Sequence, residues 1–275
     1  MKRKAHTMLR HFLHTNKPFL RRTAATLLAC LSVMFTTATA SLAEMRALLE
    51  AGEYALAAQV EGPRLLQTLQ AEPEAHYLYS YALYLVGEFA EADRQLEQAR
   101  ALSAQLQGHH LHLQGLLYAA QGDLLAAKRA LAESFGLEPR YQVARDWGRV
   151  AWQHGDFDTA LQAYQAAEQQ AAGRYDPWLH LNQARLLLHQ HNYHDAIARL
   201  EVTLDMLDQV DESSLLPSPA YTEAFYLLGQ AYEALGETEQ ATAHYQAAQS
   251  VDPEFPAAQR ALERLRAARE ANGEP

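Results

Sequence analysis

The sequence predicts an all-α protein in which helical hairpins repeat along the chain and stack into a solenoid. Three observations support this fold class. The 275 residues are 49% hydrophobic, and Ala and Leu dominate that share while β-branched residues are sparse. A short motif recurs at nearly regular intervals, and apolar residues between its copies follow a helical period. A chain of this composition can bury a continuous core.

Residues 1–40 are predicted to be an export signal. They contain no Asp or Glu, and an apolar stretch from Ala24 to Phe35 leads to the small-x-small sequence Ala38-Thr39-Ala40. This order of basic, apolar and small residues is typical of a signal peptide, with cleavage expected after Ala40. The basic residues that precede the apolar stretch are Lys2, Arg3, Lys4, Arg10, Lys17, Arg21 and Arg22.

An uncleaved anchor is the alternative for this segment, because the uncharged run that begins at Thr23 approaches the length that spans a bilayer. In both cases the chain from Ser41 onward is expected outside the cytoplasm, either periplasmic or extracellular, or held at the membrane facing outward. Cleavage would also remove Cys30, the single cysteine, and with it any thiol ligand or nucleophile.

The remainder of the chain is strongly acidic. From Ser41 onward, 16 Lys and Arg stand against 33 Asp and Glu, a net charge of −17. Such a body repels nucleic acids and anionic lipid surfaces, so neither is expected as a partner. Membrane insertion of the mature chain is not expected either.

The recurring motif predicts the turns of six helical hairpins. It consists of Gly, a polar residue, an aromatic or aliphatic residue and, three positions later, Ala, and the turns are separated by 35, 35, 33, 36 and 45 residues. Glycine accepts positive φ where one helix ends, and the acidic residue after it can cap the next helix. The turn positions are Gly52, Gly87, Gly122, Gly155, His191 in place of glycine, and Gly236.

Small and bulky residues alternate around these turns in a way that favours close helix pairing. A small residue lies seven positions before each of the later turns, at Ser80, Gly115, Gly148, Ala184 and Gly229. Bulky residues follow the turns at Leu96, Leu131, Tyr164, Leu200 and Tyr245. Small residues let two helices approach and bulky ones fill the groove, so each hairpin should pack as a unit.

The clearest copy runs over residues 224–232 and continues through Gly236, Ala241, Tyr245, Ala248 and Asp252-Pro253. These positions resemble the tetratricopeptide repeat family, and the resemblance covers roughly residues 41–270. It implies a right-handed superhelical solenoid of about six helix-turn-helix repeats within a domain at 41–272. We expect an insertion or hinge loop near 205–220 and a C-terminal capping helix over 257–271.

No catalytic motif stands out, and the protein is predicted not to be an enzyme, with no cofactor and no metal. The candidates for a metal site are two groups of histidines, His109, His110 and His112 in one, and His189, His191 and His194 in the other. Turn histidines spaced in this way could reach one ion, but no carboxylate pattern completes the site. A histidine metal-binding enzyme therefore remains the weakest of three functional hypotheses.

The first hypothesis is a module that binds a partner peptide or protein, with an acidic segment as the favoured ligand. In the family that this sequence resembles, the first helix of each hairpin lines the concave side. Residues spaced by four and three on those helices would then form the groove, and Arg and aromatic residues there suit carboxylate and peptide recognition. The predicted groove residues are Tyr77, Tyr81, Tyr84, His112, Arg145, Arg149, Trp152, Asn182, Arg185 and Tyr226.

Two alternatives stay open. Arg145 and Arg185 could instead pair with acids on neighbouring helices, since exposed ion pairs are common and weak. The second functional hypothesis is an assembly subunit of an envelope complex that acts through self-association. The sequence does not fix the oligomeric state.

Cleavage after Ala40 predicts that the mature chain begins at Ser41 or close after it. N-terminal sequencing of the protein isolated from the envelope or medium of its source should return Ser41-Leu42-Ala43. Residues 1–22 found on a cytoplasmic protein would contradict the export signal.

Overall fold

The computed structural model describes residues 41–103, 107–211 and 219–272, and the predicted signal at 1–40 lies outside them. In these ranges the chain forms thirteen helices and no strand. The predicted all-α repeat fold is therefore confirmed. No helix in the described ranges is both long enough and apolar enough to cross a bilayer.

The helices pair into six hairpins and a final single helix. The helix that we call α2 has three consecutive pieces, Tyr54–Leu56, a π-helical turn at Ala57–Glu61, and Gly62–Thr68. The others are α1 Leu42–Glu50, α3 Pro73–Leu85, α4 Phe89–Leu102, α5 Gly108–Ala120, α6 Leu124–Leu137, α7 Tyr141–Gln153, α8 Phe157–Glu168, α9 Pro177–His189, α10 Tyr193–Asp211, α11 Pro219–Ala234, α12 Thr238–Val251 and α13 Pro256–Asn272.

The turns within the hairpins share a left-handed residue. Five are the predicted glycines, with φ between 77° and 86°. At the remaining turn, the fifth along the chain, His191 has φ 59° without being glycine, and one of its ring nitrogens lies 2.7 Å from the Tyr193 hydroxyl. A side chain in this region costs free energy, so the hairpin tolerates a local strain that glycine avoids elsewhere.

Capping after the turn depends on the length of the acidic side chain. Asp123 accepts a hydrogen bond from the amide of Ala126 at 2.9 Å, and Asp156 accepts one from Thr159 at 3.2 Å. Glu88 stands at the same position of its turn and makes no such bond. The acidic residue therefore caps the next helix at Asp123 and Asp156 but not at Glu88, whose side chain is one methylene longer.

Small residues let the paired helices approach closely, as predicted. A Cβ atom at Gly148 would lie 2.5 Å from the ring of Tyr164, and one at Gly229 would lie 2.4 Å from the ring of Tyr245. Neither position has room for a side chain. The second helix of each hairpin also packs on the first helix of the next, which makes the core continuous along the solenoid.

The last helix closes the array. Helix α13 packs on α12, and Arg264 on α13 donates hydrogen bonds to both carboxylate oxygens of Glu233 on α11, at 2.7 to 3.2 Å. The capping helix therefore contacts the last complete hairpin through both of its helices.

The expected loop near 205–220 overlaps two helices. Helix α10 continues to Asp211 and α11 begins at Pro219, so both ends of that range are helical. Residues 212–218 lie outside the described part of the chain.

Replacing Tyr245 by Ala should destabilise the protein by about 4 kcal/mol, because the ring is fully buried against Gly229 and leaves a cavity. Chemical denaturation measures this change. Tyr175→Ala is the matched control, since Tyr175 is 70% exposed and its loss should cost less than about 0.5 kcal/mol. Equal midpoints for the two variants would show that Tyr245 is not a core residue.

Candidate binding face

Side chains of two first helices meet at the carboxylate of Asp146 on α7, and two tyrosines of a third lie within range of its charge. Nε2 of His112 on α5 lies 2.9 Å from Oδ2 of Asp146. Tyr81 and Tyr84 on α3 are close enough to respond to the same charge. Burial chiefly raises the pKa of both tyrosines, and the negative charge of Asp146 raises it further. We call this surface the first-helix face. It is formed by Tyr81, Tyr84, His112, Arg145, Asp146 and Arg149.

Two arginines flank Asp146 without hydrogen-bonding it. Its Oδ1 lies 3.8 Å from Nη2 of Arg145 and 3.8 Å from Nε of Arg149. These distances permit Coulomb attraction but exceed the length of a hydrogen bond. The arginine side chains are 47% and 45% exposed, whereas that of Asp146 is 13% exposed. One largely buried carboxylate therefore faces two guanidinium groups that keep donors open to solvent.

The two arginines differ in how firmly they are held. The guanidinium carbon of Arg145 lies 5.5 Å from the centre of the Tyr141 ring, and the Tyr141 hydroxyl donates to the carboxylate of Asp176 at the start of α9. Arg149 makes no hydrogen bond to any carboxylate of the described residues. Arg149 is thus the freer of the two cations.

Arg185 on α9 is held by a carboxylate of the next hairpin. Its Nη2 lies 2.6 Å from Oε1 of Glu223 on α11, and its Nη1 donates to Oδ1 of Asn182 at 2.8 Å. The alternative in which a groove arginine pairs with an acid on a neighbouring helix therefore describes Arg185. For Arg145 the nearby acid is Asp146 on its own helix.

Trp152 and Tyr226 lie in aromatic clusters rather than beside Asp146. The ring of Trp152 meets Phe157 edge-on at 5.6 Å. The ring of Tyr226 lies 5.6 Å from that of Tyr245, and its hydroxyl accepts a hydrogen bond from Gln230. The structure therefore separates these two predicted groove residues from the arginine centre.

Tyr77 packs on the first histidine group. Its ring lies 4.5 Å from that of His109 and 5.3 Å from that of His110. His110 is 2% exposed, and neither ring nitrogen has a hydrogen-bond partner. Burial, and after it the neighbouring His109 as a second potential cation, lowers the pKa of His110 to about 4.

The second histidine group is engaged in local contacts. The ring of His189 lies 3.9 Å from that of Phe157, and His191 bonds the hydroxyl of Tyr193. Across the described ranges, no three His, Cys, Asp or Glu side chains converge in an arrangement that could hold a metal ion.

Three residues of or beside this face were missing from the sequence-based set. Asp146 and Glu223 are the carboxylates that face the arginines, and Tyr54 on α2 lies near enough to Tyr81 to raise its pKa. The spacing of Asp146 three positions before Arg149 is a helical ion-pair spacing and could have identified it. Tyr54 follows a turn, in the second helix of its hairpin, so a search restricted to first helices omits it.

Comparison with known proteins identifies the repeat. The family described as tetratricopeptide repeat matches residues 222–255. A curated relative, the tetratricopeptide repeat protein 30 homolog of Drosophila pseudoobscura pseudoobscura, is 30% identical over 121 residues. That alignment covers 44% of this chain but only 18% of the relative, so the chain spans less than a fifth of that protein.

Solved structures share the fold. YrrB, described as a tetratricopeptide repeat protein with an unusual peptide-binding site, is 15% identical with a TM-score of 0.62, over 74% of this chain and 97% of YrrB. PilF of Pseudomonas aeruginosa is 18% identical, also with a TM-score of 0.62, over 80% of this chain and 93% of PilF. At these identities the likeness is one of architecture.

The buried imidazole of His110 predicts acid sensitivity. Because its pKa is lower in the fold than in the unfolded chain, the unfolded state binds a proton first as the pH falls. Stability should be complete above pH 6.5 and decline by about 1.4 kcal/mol per pH unit towards pH 4 from this residue. Denaturation of wild type and His110→Leu at pH 7 and pH 5 measures the difference, which should be smaller in the variant. An equal loss in both proteins would contradict this role of His110.

Proposed function

The chain is a tetratricopeptide repeat protein, and on that premise we propose that it is an exported interaction module that binds a segment of a partner protein on the concave side of its first helices. The module would act as a scaffold without catalysing a reaction. An acidic segment is the favoured ligand. Its binding would use the first-helix face.

The observation that carries this proposal is the incomplete neutralisation of Arg145 and Arg149. Both guanidinium groups are about half exposed, and the one carboxylate between them lies beyond hydrogen-bonding distance. Arginine offers a planar set of donors that pairs with a carboxylate through two bonds. The adjoining tyrosines add large, rigid surfaces of the kind that is enriched at protein interfaces.

Two further observations support the class of partner and the export. The body from Ser41 onward has a net charge of −17, which disfavours nucleic acid as a ligand. The export part of the proposal rests on the basic, apolar and small-residue order of residues 1–40.

Replacing Arg145 and Arg149 together by Gln should reduce partner binding at least tenfold, because the carboxylate of the ligand loses both cations. Residues 41–275 are immobilised, partners from envelope extract of the source organism are identified by mass spectrometry, and the affinity of each is then measured with wild type and variant. Binding to wild type should also weaken as salt rises, since exposed charge attraction is screened over about 8–10 Å.

The matched control replaces Arg129 on α6 and Arg174 before α9, both exposed, by Gln, which removes the same charge from other surfaces. This control should bind like wild type, and all three proteins should melt at nearly the same temperature. Unchanged affinity of the Arg145/Arg149 variant would contradict binding at this face. An equal loss of affinity in the control would show that the change in net charge, not the position of Arg145 and Arg149, weakens binding.

A further inference from the structure

The charge around Asp146 is nearly balanced before any ligand binds. Arg145 and Arg149 contribute two positive charges, and the largely buried Asp146 contributes one negative charge at 3.8 Å from each. The net charge of these three side chains is therefore +1. A single carboxylate of the ligand would bring the net charge of the centre to zero. A second negative charge would be repelled by Asp146, because the centre is partly shielded from water.

Arg185, the arginine of the next first helix, and Arg264 on the capping helix already have acidic partners. Arg185 lies 2.6 Å from Glu223, and Arg264 bonds Glu233 through two nitrogen atoms. Both pairs are closer than the pairs at Asp146, and the Arg264–Glu233 pair is also hydrogen-bonded. A further acidic residue of the ligand would have to displace Glu223 or Glu233 to pair with either of these arginines.

Tyrosines of α3 lie near this centre. Tyr84 is close enough to Arg149 for that positive charge to lower its pKa, although burial, the largest influence, raises it. Tyr81 and Tyr84 pack partly buried against the first core cluster, and Tyr54 beyond them is 39% exposed. These rings offer apolar area and hydroxyl donors beside the arginines, which suits an apolar side chain adjacent to an acidic one.

Resting on the proposed function, we infer that this face selects a polypeptide segment with one carboxylate side chain flanked by apolar residues, rather than a run of acidic residues or a phosphorylated segment. The carboxylate lies between Arg145 and Arg149. Apolar neighbours pack on Tyr81, Tyr84 and Tyr54. A phosphate group brings up to two negative charges and therefore overcharges a centre of +1.

Four fluorescein-labelled peptides test this selection by fluorescence anisotropy with residues 41–275. They share a Gly-Ser-Leu-Phe-X-Phe-Leu-Ser-Gly scaffold in which X is Glu, Gln or phosphoserine, and in the fourth peptide Phe-X-Phe is replaced by three Glu. The single-Glu peptide should bind at least tenfold more tightly than each of the other three.

Two variants show whether the internal carboxylates impose the selection. Glu223→Gln releases Arg185, and Asp146→Asn raises the charge of the centre. Each should improve the affinity for the three-Glu peptide relative to the single-Glu peptide by fivefold or more. Circular dichroism melting verifies that both variants fold.

The outcomes separate this inference from the proposed function. If the three-Glu or phosphoserine peptide binds wild type as tightly as the single-Glu peptide, and the Arg145/Arg149 variant loses that binding, the face binds acids but the selection is wrong. If the Gln peptide binds equally, recognition is apolar and the inference is wrong. If no peptide binds, or the Arg145/Arg149 variant binds them all like wild type, both the inference and the proposed binding face fail.

Discussion

The close approach of paired helices at a small residue is the contact on which the rest of the structure depends. At Gly148 and Gly229 a Cβ atom would fall within 2.5 Å of a tyrosine ring from the second helix, so the two backbones meet where a side chain is missing. A helix fixed at such a point has little freedom to rotate about its axis, because rotation would drive a larger residue into the ring. Each hairpin is therefore a rigid unit, and stacking the units aligns their first helices.

This constraint is also what assembles the first-helix face. The contact of Gly148 with Tyr164 fixes the rotation of α7 about its axis, and with it the flank on which Arg145 and Arg149, four positions apart, both lie. His112 and the α3 tyrosines approach the centre on α7 from the preceding hairpins. The arrangement around Asp146 therefore follows from the register of three consecutive hairpins.

The repeat pattern predicted the fold because each of its positions has a local physical meaning. A glycine at a turn, a small residue opposite a bulky one and a helical period can all be recognised within about 35 residues. Side-chain pairing across hairpins has no such local signal. Arg185 finds Glu223, 38 positions away, across the longest interval between turns, and Asp146 finds His112 on another helix. The sequence could therefore place the arginines on a common side but not identify the carboxylates that decide which of them remains available. The role of the two histidine groups could not be predicted for a related reason. The packing of His110 on Tyr77 and of His189 on Phe157 depends on tertiary contacts that have no local signal.

The acidic charge of the whole body bears on how an anionic segment could bind at all. The net charge of −17 over residues 41–275 repels such a segment at distances where salt screening is incomplete, so long-range steering does not favour its approach. Any attraction must come from contacts within a few ångströms of Arg145 and Arg149, where the local field has the opposite sign to that of the body. A segment with many acidic residues is repelled through all of its charges but can pair with the arginines at this one centre only. A segment with a single acid is repelled weakly and can form the same pairing. Apolar packing on the tyrosines then adds affinity without adding charge. The acidic body therefore slows the approach of an anionic ligand but helps the first-helix face to distinguish ligands with one acid from ligands with several. The repulsion grows with each acid in the ligand, whereas the number of available cations on this face stays the same.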